Sequence, residues 1–303
     1  MGHEGQDANV ASMNIISASR RTDIPALYTD WFLRRIEEGF VAYPNPFSGT
    51  IHTVSLAPED VHSIVFWSKH YRPLLPHLEY LQRKGFCMFF HYTINGLPRC
   101  LEPSSPPWEL SVRIFKELSH RTSSRHVAWR FDPIVITEEL DSKWYIRQFT
   151  SIGSRLMGST ERCCISFVHL YGKTKRNLNR LGVKFREPSL EEKLDLSLEL
   201  ERIAQGFGME LLACCQPDLV TKGIKMGRCV DGELLSELFP ERTPILEHRP
   251  TRAGCGCTAS RDIGMYDTCS LGCTYCYANQ SRALAHVRRE RHDPSCQMLL
   301  PVP

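Results

Sequence analysis

Short apolar runs recur along the chain at 14–17, 63–67, 86–92, 126–131, 164–170 and 209–214, each followed by polar or charged residues. They are rich in β-branched and aromatic side chains, which suits strands buried on both faces. Helical periodicity fills the gaps. At 189–205, Ser189 and Glu192 form a capping box, Leu196, Leu200 and Ile203 make one apolar face, and Gly206 supplies the stop. The patterns at 30–38, before Gly39, and at 107–119 are also helical. Strands alternating with helices predict a parallel sheet with right-handed crossovers. At least six such units without a G-x-G-x-x-G turn favour a TIM-like parallel β/α barrel, complete or partial, over a dinucleotide fold. The expected division is a disordered leader at 1–13, a barrel body at 14–222, a Cys-rich cluster-binding extension at 223–280 packed on the barrel mouth, and a disordered basic tail at 281–303.

In a parallel barrel the active site lies at the carboxyl ends of the strands. The residues expected there are functional in type: Arg20, Arg21 and Asp23; Lys69; His91 and Asn95; Arg130 and Asp132; Ser166, His169 and Lys173; Cys214, Gln216 and Asp218. Arg20, Arg21 and Arg130 are candidates for binding anionic groups, and Asp23, Asp132 and His91 for positioning a substrate or handling protons. Each has a plainer reading: Arg130 with Asp132 as a structural ion pair, His91 as a core histidine. The recurrence of polar groups at the same end of successive strands argues for a site. The run Lys173, Lys175, Arg176 and Arg180 reads as a solvated helix face.

The 303 residues carry a formal charge of only +3, which gives no case for nucleic acid or an anionic membrane. No apolar run is long enough to span a bilayer. The thirteen cysteines, without a secretion signal, point to a reducing cytoplasm, with the thiols as ligands or buried apolar groups.

Cys269, Cys273 and Cys276 are spaced C-x-x-x-C-x-x-C, with Tyr275 before the last cysteine and Gly272 allowing a tight turn. Three thiolates on one short loop can hold three irons of a [4Fe–4S] cluster and leave the fourth open. This spacing is the signature of radical S-adenosylmethionine (SAM) enzymes. Cys255 and Cys257, in a Gly-Cys-Gly-Cys run, and Cys229, together with Cys214, stand ready for a second metal or as a fourth ligand to the first cluster. Cys87, Cys163 and Cys164 read as buried apolar residues. A structural zinc site would want four ligands, often two C-x-x-C pairs, and only Cys273 and Cys276 have that spacing.

The phrases Ile16-Ser-Ala-Ser-Arg-Arg-Thr-Asp-Ile-Pro25, Trp129-Arg-Phe-Asp-Pro133, Cys255-Gly-Cys257, Asp262-Ile-Gly-Met-Tyr-Asp-Thr268 and Gly272-Cys-Thr-Tyr-Cys-Tyr-Ala-Asn279 resemble the bacterial domain-of-unknown-function family 1848, over about 14–280. The resemblance implies a C-terminal cysteine cluster similar to the iron–sulfur site of radical SAM proteins. Two departures from ordinary radical SAM enzymes are visible: the triplet follows the last strand, and Trp67-Ser-Lys69 stands where a Gly-Gly-Glu segment would bind the SAM amino group. Arg20, Arg21, Lys69 and Tyr275 are the candidates on the cofactor side. The expected function is a radical-SAM-like enzyme acting on a small molecule, cleaving SAM to a 5′-deoxyadenosyl radical with electrons from a donor such as ferredoxin or flavodoxin. An iron–sulfur electron-transfer or sensor protein, and a zinc-stabilised binding protein, are the alternatives. The triplet loop is expected beside Arg20, Arg21, Arg130 and Asp132, with Cys255 and Cys257 close to the triplet and at most one of them joining its cluster.

Overall fold

Alternate residues of each central strand face opposite packing layers, and that alternation builds the molecule. A computed structural model describes residues 13–180, 182 and 184–301; the leader expected at 1–13 lies outside the described residues apart from Met13. Strands β1 (Asn14–Ala18), β4 (Val61–Ser68), β5 (Met88–Thr93), β6 (Val127–Ile134), β7 (Arg162–Phe167), β8 (Glu210–Cys214), β9 (Ile224–Gly227) and β10 (Arg261–Asp262) form one parallel sheet in the order β10-β1-β4-β5-β6-β7-β8-β9. A hairpin of β2 (Phe40–Pro44) and β3 (Ile51–Ser55) stands apart from it.

Ile64, Phe66, Phe90, Trp129 and Ile165 face one layer, where they meet Trp31 and Phe32 of α2 (Thr29–Glu38), Leu81 of α3 (Leu78–Arg83), Phe115 of α4 (Trp108–Arg121), Phe149 of α5 (Ser142–Leu156), Leu178 of α6 (Gly172–Arg180) and Leu200 of α7 (Leu190–Gly206). Short α1 (Ile24–Leu27) leads into α2. The intervening residues, Ile15, Val65, Phe89 and Ala128, face the other way, onto Leu234 and Leu235 of α8 (Gly232–Leu238) and onto Cys214, Cys215, Cys255 and Cys257. A strand with apolar groups on both faces must be covered on both. Here the second cover is the segment after β9.

The sheet is open rather than closed: among the described residues β9 pairs with β8, β10 pairs with β1, and the two edges are not joined. The capping box at Ser189 and Glu192 forms as its spacing predicts, and Gly39 ends α2 with a left-handed φ of 76°. α7 ends at Gly206, as expected, and the left-handed turn follows at Gly208.

The expected disorder after 281 is corrected. Ser281 caps α9 (Arg282–Glu290), and the chain beyond it packs back on the body. Trp31 Nε1 donates to Cys296 O at 2.9 Å, Ala42 N donates to Gln297 O at 3.1 Å, and Leu299 is buried. Basic residues on α9 made the segment read as a solvated tail; hydrogen bonds to the body and the buried Leu299 hold it in place. No helix among the described residues is long and apolar enough to cross a membrane.

Candidate functional site

The carboxyl end of β1 is organised by Asp262 of β10. Its carboxylate accepts from Ser17 Oγ (2.8 Å), Ser19 Oγ (2.7 Å), Arg20 N (2.9 Å) and Gly264 N (3.0 Å). Arg20 Nε and Arg21 Nε lie 3.6 and 3.9 Å from it. Packing there is so close that a Cβ on Gly264 would meet Ser19 Oγ at 2.0 Å. Asp262 stands inside one of the family-like phrases, but polar spacing gave no reason to single it out: its partners are some 240 residues away. It takes up part of the charge offered by Arg20 and Arg21.

The triplet sits on a loop whose ends are tied together. Asp267 N donates to Ala278 O at 3.0 Å, and the Asp267 carboxylate accepts from Gln280 N. Within the loop Asn279 Nδ2 donates to Cys269 O (2.6 Å) and Ala278 N to Cys276 Sγ (3.3 Å). Gly272 turns with φ +75°, and a Cβ there would meet Arg282 Nε of α9 at 3.0 Å and Pro103 at 3.3 Å. Tyr28 Oη donates to Thr268 O, Tyr277 Oη to Arg20 O, and Thr274 N to Leu101 O. The loop therefore rests on the segments following β1 and β5.

Beneath it lies a buried polar group. Lys69 Nζ is 2.7 Å from Glu102 Oε1, and Glu102 also accepts from Asn95 Nδ2 at 3.1 Å and from Tyr275 Oη. Lys69 and Tyr275, candidates for the cofactor side, are thus each engaged with Glu102, a residue the sequence did not flag. A cavity of about 330 Å³ adjoins them, lined by Lys69, Asn95, Gly96, Glu102 and Trp108 among others.

The three thiols act on one another and on Asp23, Lys69 and Glu102. Burial pushes each of them up, Cys273 to about 12 even with Lys69 opposing. Without a metal they are held as neutral thiols.

Asp23 Oδ1 caps α1 through Ala26 N (3.0 Å), and Oδ2 accepts from Lys69 N (2.8 Å). Burial raises its carboxyl to about 6, against the hydrogen bonds that favour the anion. Because the folded value lies above the ordinary 3.8, the stability this group contributes is complete below about pH 3.8 and is lost as pH rises through about 6. The pH–stability curve of the wild type minus that of Asp23→Asn should therefore fall by roughly 3 kcal/mol across that window. A flat difference curve from urea titrations would show that Asp23 is ionised without penalty.

Arg130, Asp132 and His91 lie on the face that carries the other cysteines. Arg130 pairs with Asp132, which also accepts from Ser166 Oγ, so the ion-pair geometry is present. Arg130 Nη1 also lies 3.2 Å from Cys229 Sγ. His91 Nε2 donates to Cys229 O at 2.7 Å, its ring stacks on Trp67 at 5.2 Å, and its Nδ1 is buried without a partner. Burial, with Arg130 close by, lowers this imidazole to about 4, so it is neutral at pH 7. That state suits holding a lone pair in place better than delivering protons.

Cys255 and Cys257 do not gather with the triplet. They are buried with Cys214 and Cys215 in another layer, where Val230 N donates to Cys257 Sγ at 3.5 Å. Cys163 and Cys164 are buried in β7, as expected. Lys175, Arg176 and Arg180 of α6 are exposed as expected, whereas Lys173 of the same run is half-buried. Among the described residues no three His, Cys, Asp or Glu side chains are already arranged around a single metal ion.

A comparison with curated proteins finds no match. The family model described as "Domain of unknown function (DUF1848)" matches residues 15–278, from β1 through the triplet loop. With nearly the whole described body inside that match, the chain belongs to the DUF1848 family.

Proposed function

We propose that this protein is an iron–sulfur, radical-SAM-like enzyme in which Cys269, Cys273 and Cys276 hold three irons of a [4Fe–4S] cluster. The observation that carries the reading is the shared, partly buried neighbourhood of the three thiols at the carboxyl ends of β1, β4 and β5, on a loop tied at both ends. The donor set fits the group: burial, the strongest influence on each thiol, keeps it protonated and ready to exchange its proton for metal, and Lys69 acts on both Cys273 and Cys276. When bound, such a cluster with one open iron supplies a single electron to a sulfonium such as SAM.

The chain's own residues do the rest. Glu102 fixes Tyr275, and with it the register of the last cysteine, while Lys69 neutralises Glu102. The cavity beside Lys69, Asn95 and Trp108 offers room for a small substrate against polar and apolar walls. Arg21, whose guanidinium shares Asp262 with Arg20 and lies over Tyr266, is a further cation for an anionic group.

Anaerobic reconstitution tests this. Replacing any one of Cys269, Cys273 or Cys276 by Ala should remove most of the iron bound at this site. SAM added to the reduced protein should change the electron paramagnetic resonance signal of that cluster. Iron that binds without any response to SAM would favour electron transfer or sensing instead, and zinc in place of iron would sink both.

A further inference from the structure

We propose that Cys214, Cys215, Cys229, Cys255 and Cys257 bind a second iron–sulfur cluster, separate from the triplet and ligated wholly by protein. The geometry is a buried group of thiols drawn from three chain segments. Cys214 Sγ lies 3.3 Å from Cys229 Sγ and 4.0 Å from Cys215 Sγ. Cys255 and Cys257 pack in the same layer: Val230 N, next to Cys229, donates to Cys257 Sγ at 3.5 Å, and Gly254 sits against Cys215 O. Cys214 ends β8 and Cys215 follows it, Cys229 follows β9, and Cys255 and Cys257 come from the loop before β10.

Neighbouring residues of a strand point to opposite faces. Cys214 and Cys215 nevertheless join the same layer, because Cys215 takes a left-handed φ of 55°, which a side chain of this kind seldom adopts. Packing alone does not ask for this. Cysteine is a small hydrophobe, and the layer holding these thiols is otherwise apolar, so a core role would be met by separate, neutral sulfurs.

The cations around these thiols point the same way. Arg130 Nη1 reaches Cys229 Sγ at 3.2 Å, and Arg252 and Arg20 act electrostatically on Cys215 and on Cys229 with Cys257. Arg130 and Arg20 also pair with Asp132 and Asp262, and thiolates around an anionic cluster add a counter-charge that neutral thiols do not. Two buried nitrogens, Arg20 Nη1 and His91 Nδ1, have no partner among the described residues. No three of these thiols already surround one point among the described residues, so binding would draw them together. A cubane takes its sulfurs from around a small volume, which thiols from three segments can enclose. Four of the five suffice as ligands.

The test uses the full chain purified without oxygen. The variant Cys269→Ala/Cys273→Ala/Cys276→Ala should keep about four irons and four sulfides per chain and remain brown. Wild type should hold about eight irons. Cys229→Ala/Cys257→Ala should lose the second set while retaining the signal that answers to SAM, and Cys215→Ala, which spares four ligands, should retain both. Zinc instead of iron in the triple variant overturns the proposal. So does a triple variant, folded by circular dichroism, that holds no metal, whether its remaining thiols are free or a disulfide joins Cys214 to Cys229. This proposal and the triplet reading fail separately, because iron lost from one set leaves the other to be counted.

Discussion

Asp262→Ala unfolds at a lower urea concentration than wild type, with a loss of about 3–5 kcal/mol. The size follows from what the carboxylate does. Asp262 is 7% exposed and accepts four hydrogen bonds, two from serine hydroxyls and two from backbone N–H groups. Alanine leaves these donors without an acceptor in a place where water does not replace it, and each such orphan costs about 1–3 kcal/mol. The same change leaves Arg20 and Arg21 facing one another with no counter-charge. Asp262→Asn keeps the shape but loses the charge and turns one oxygen into a donor facing other donors, so it should fall between the two. An Ala variant within about 1 kcal/mol of wild type would mean that β10 is not the clamp on the end of β1.

Lys69→Met has the second large effect, again about 3–5 kcal/mol. Lys69 and Glu102 are both largely buried, 2.7 Å apart, and Glu102 also receives Asn95 and Tyr275. Removing the cation leaves an anion buried without charge compensation, and that, more than the lost attraction, sets the cost. In wild type, burial pushes the Glu102 carboxyl up, but Lys69, with Tyr275 and Asn95, outweighs it and the net shift is downward. A carboxyl depressed in the fold stabilises above its ordinary pKa, 4.5 here, and that contribution is lost as pH falls below it. The deficit of Lys69→Met should therefore be full at neutral pH and shrink as acid protonates the stranded Glu102. Lys69→Met/Glu102→Gln should recover most of the loss. If the double variant is no more stable than the single one, the interaction is not the buried pair described here.

Much of the body was legible in the chain because the signals there are local. The six apolar runs correspond to β1, β4, β5, β6, β7 and β8, the capping box stands at Ser189 and Glu192, and a left-handed Gly39 closes α2. Short apolar runs between helical stretches point to a parallel sheet whatever its partners are, since buried strands joined by helices have little alternative. The spacing of Cys269, Cys273 and Cys276 likewise lies within one loop, so their proximity was fixed by the sequence itself. What the chain could not announce is which distant segment meets which. β9 and β10 are too short to carry a period, and the seam that seats the residues after 281 is a few side chains long. Asp262 reaches Ser17 across 245 positions, Glu102 reaches Tyr275 across 173, and the buried group of Cys214, Cys215, Cys229, Cys255 and Cys257 joins three separate segments. Such pairings depend on the layer that covers the inner face of the sheet. Only the tertiary structure decides them, because a buried charge or thiol finds its partner through the folded path of the chain and not through its sequence neighbours.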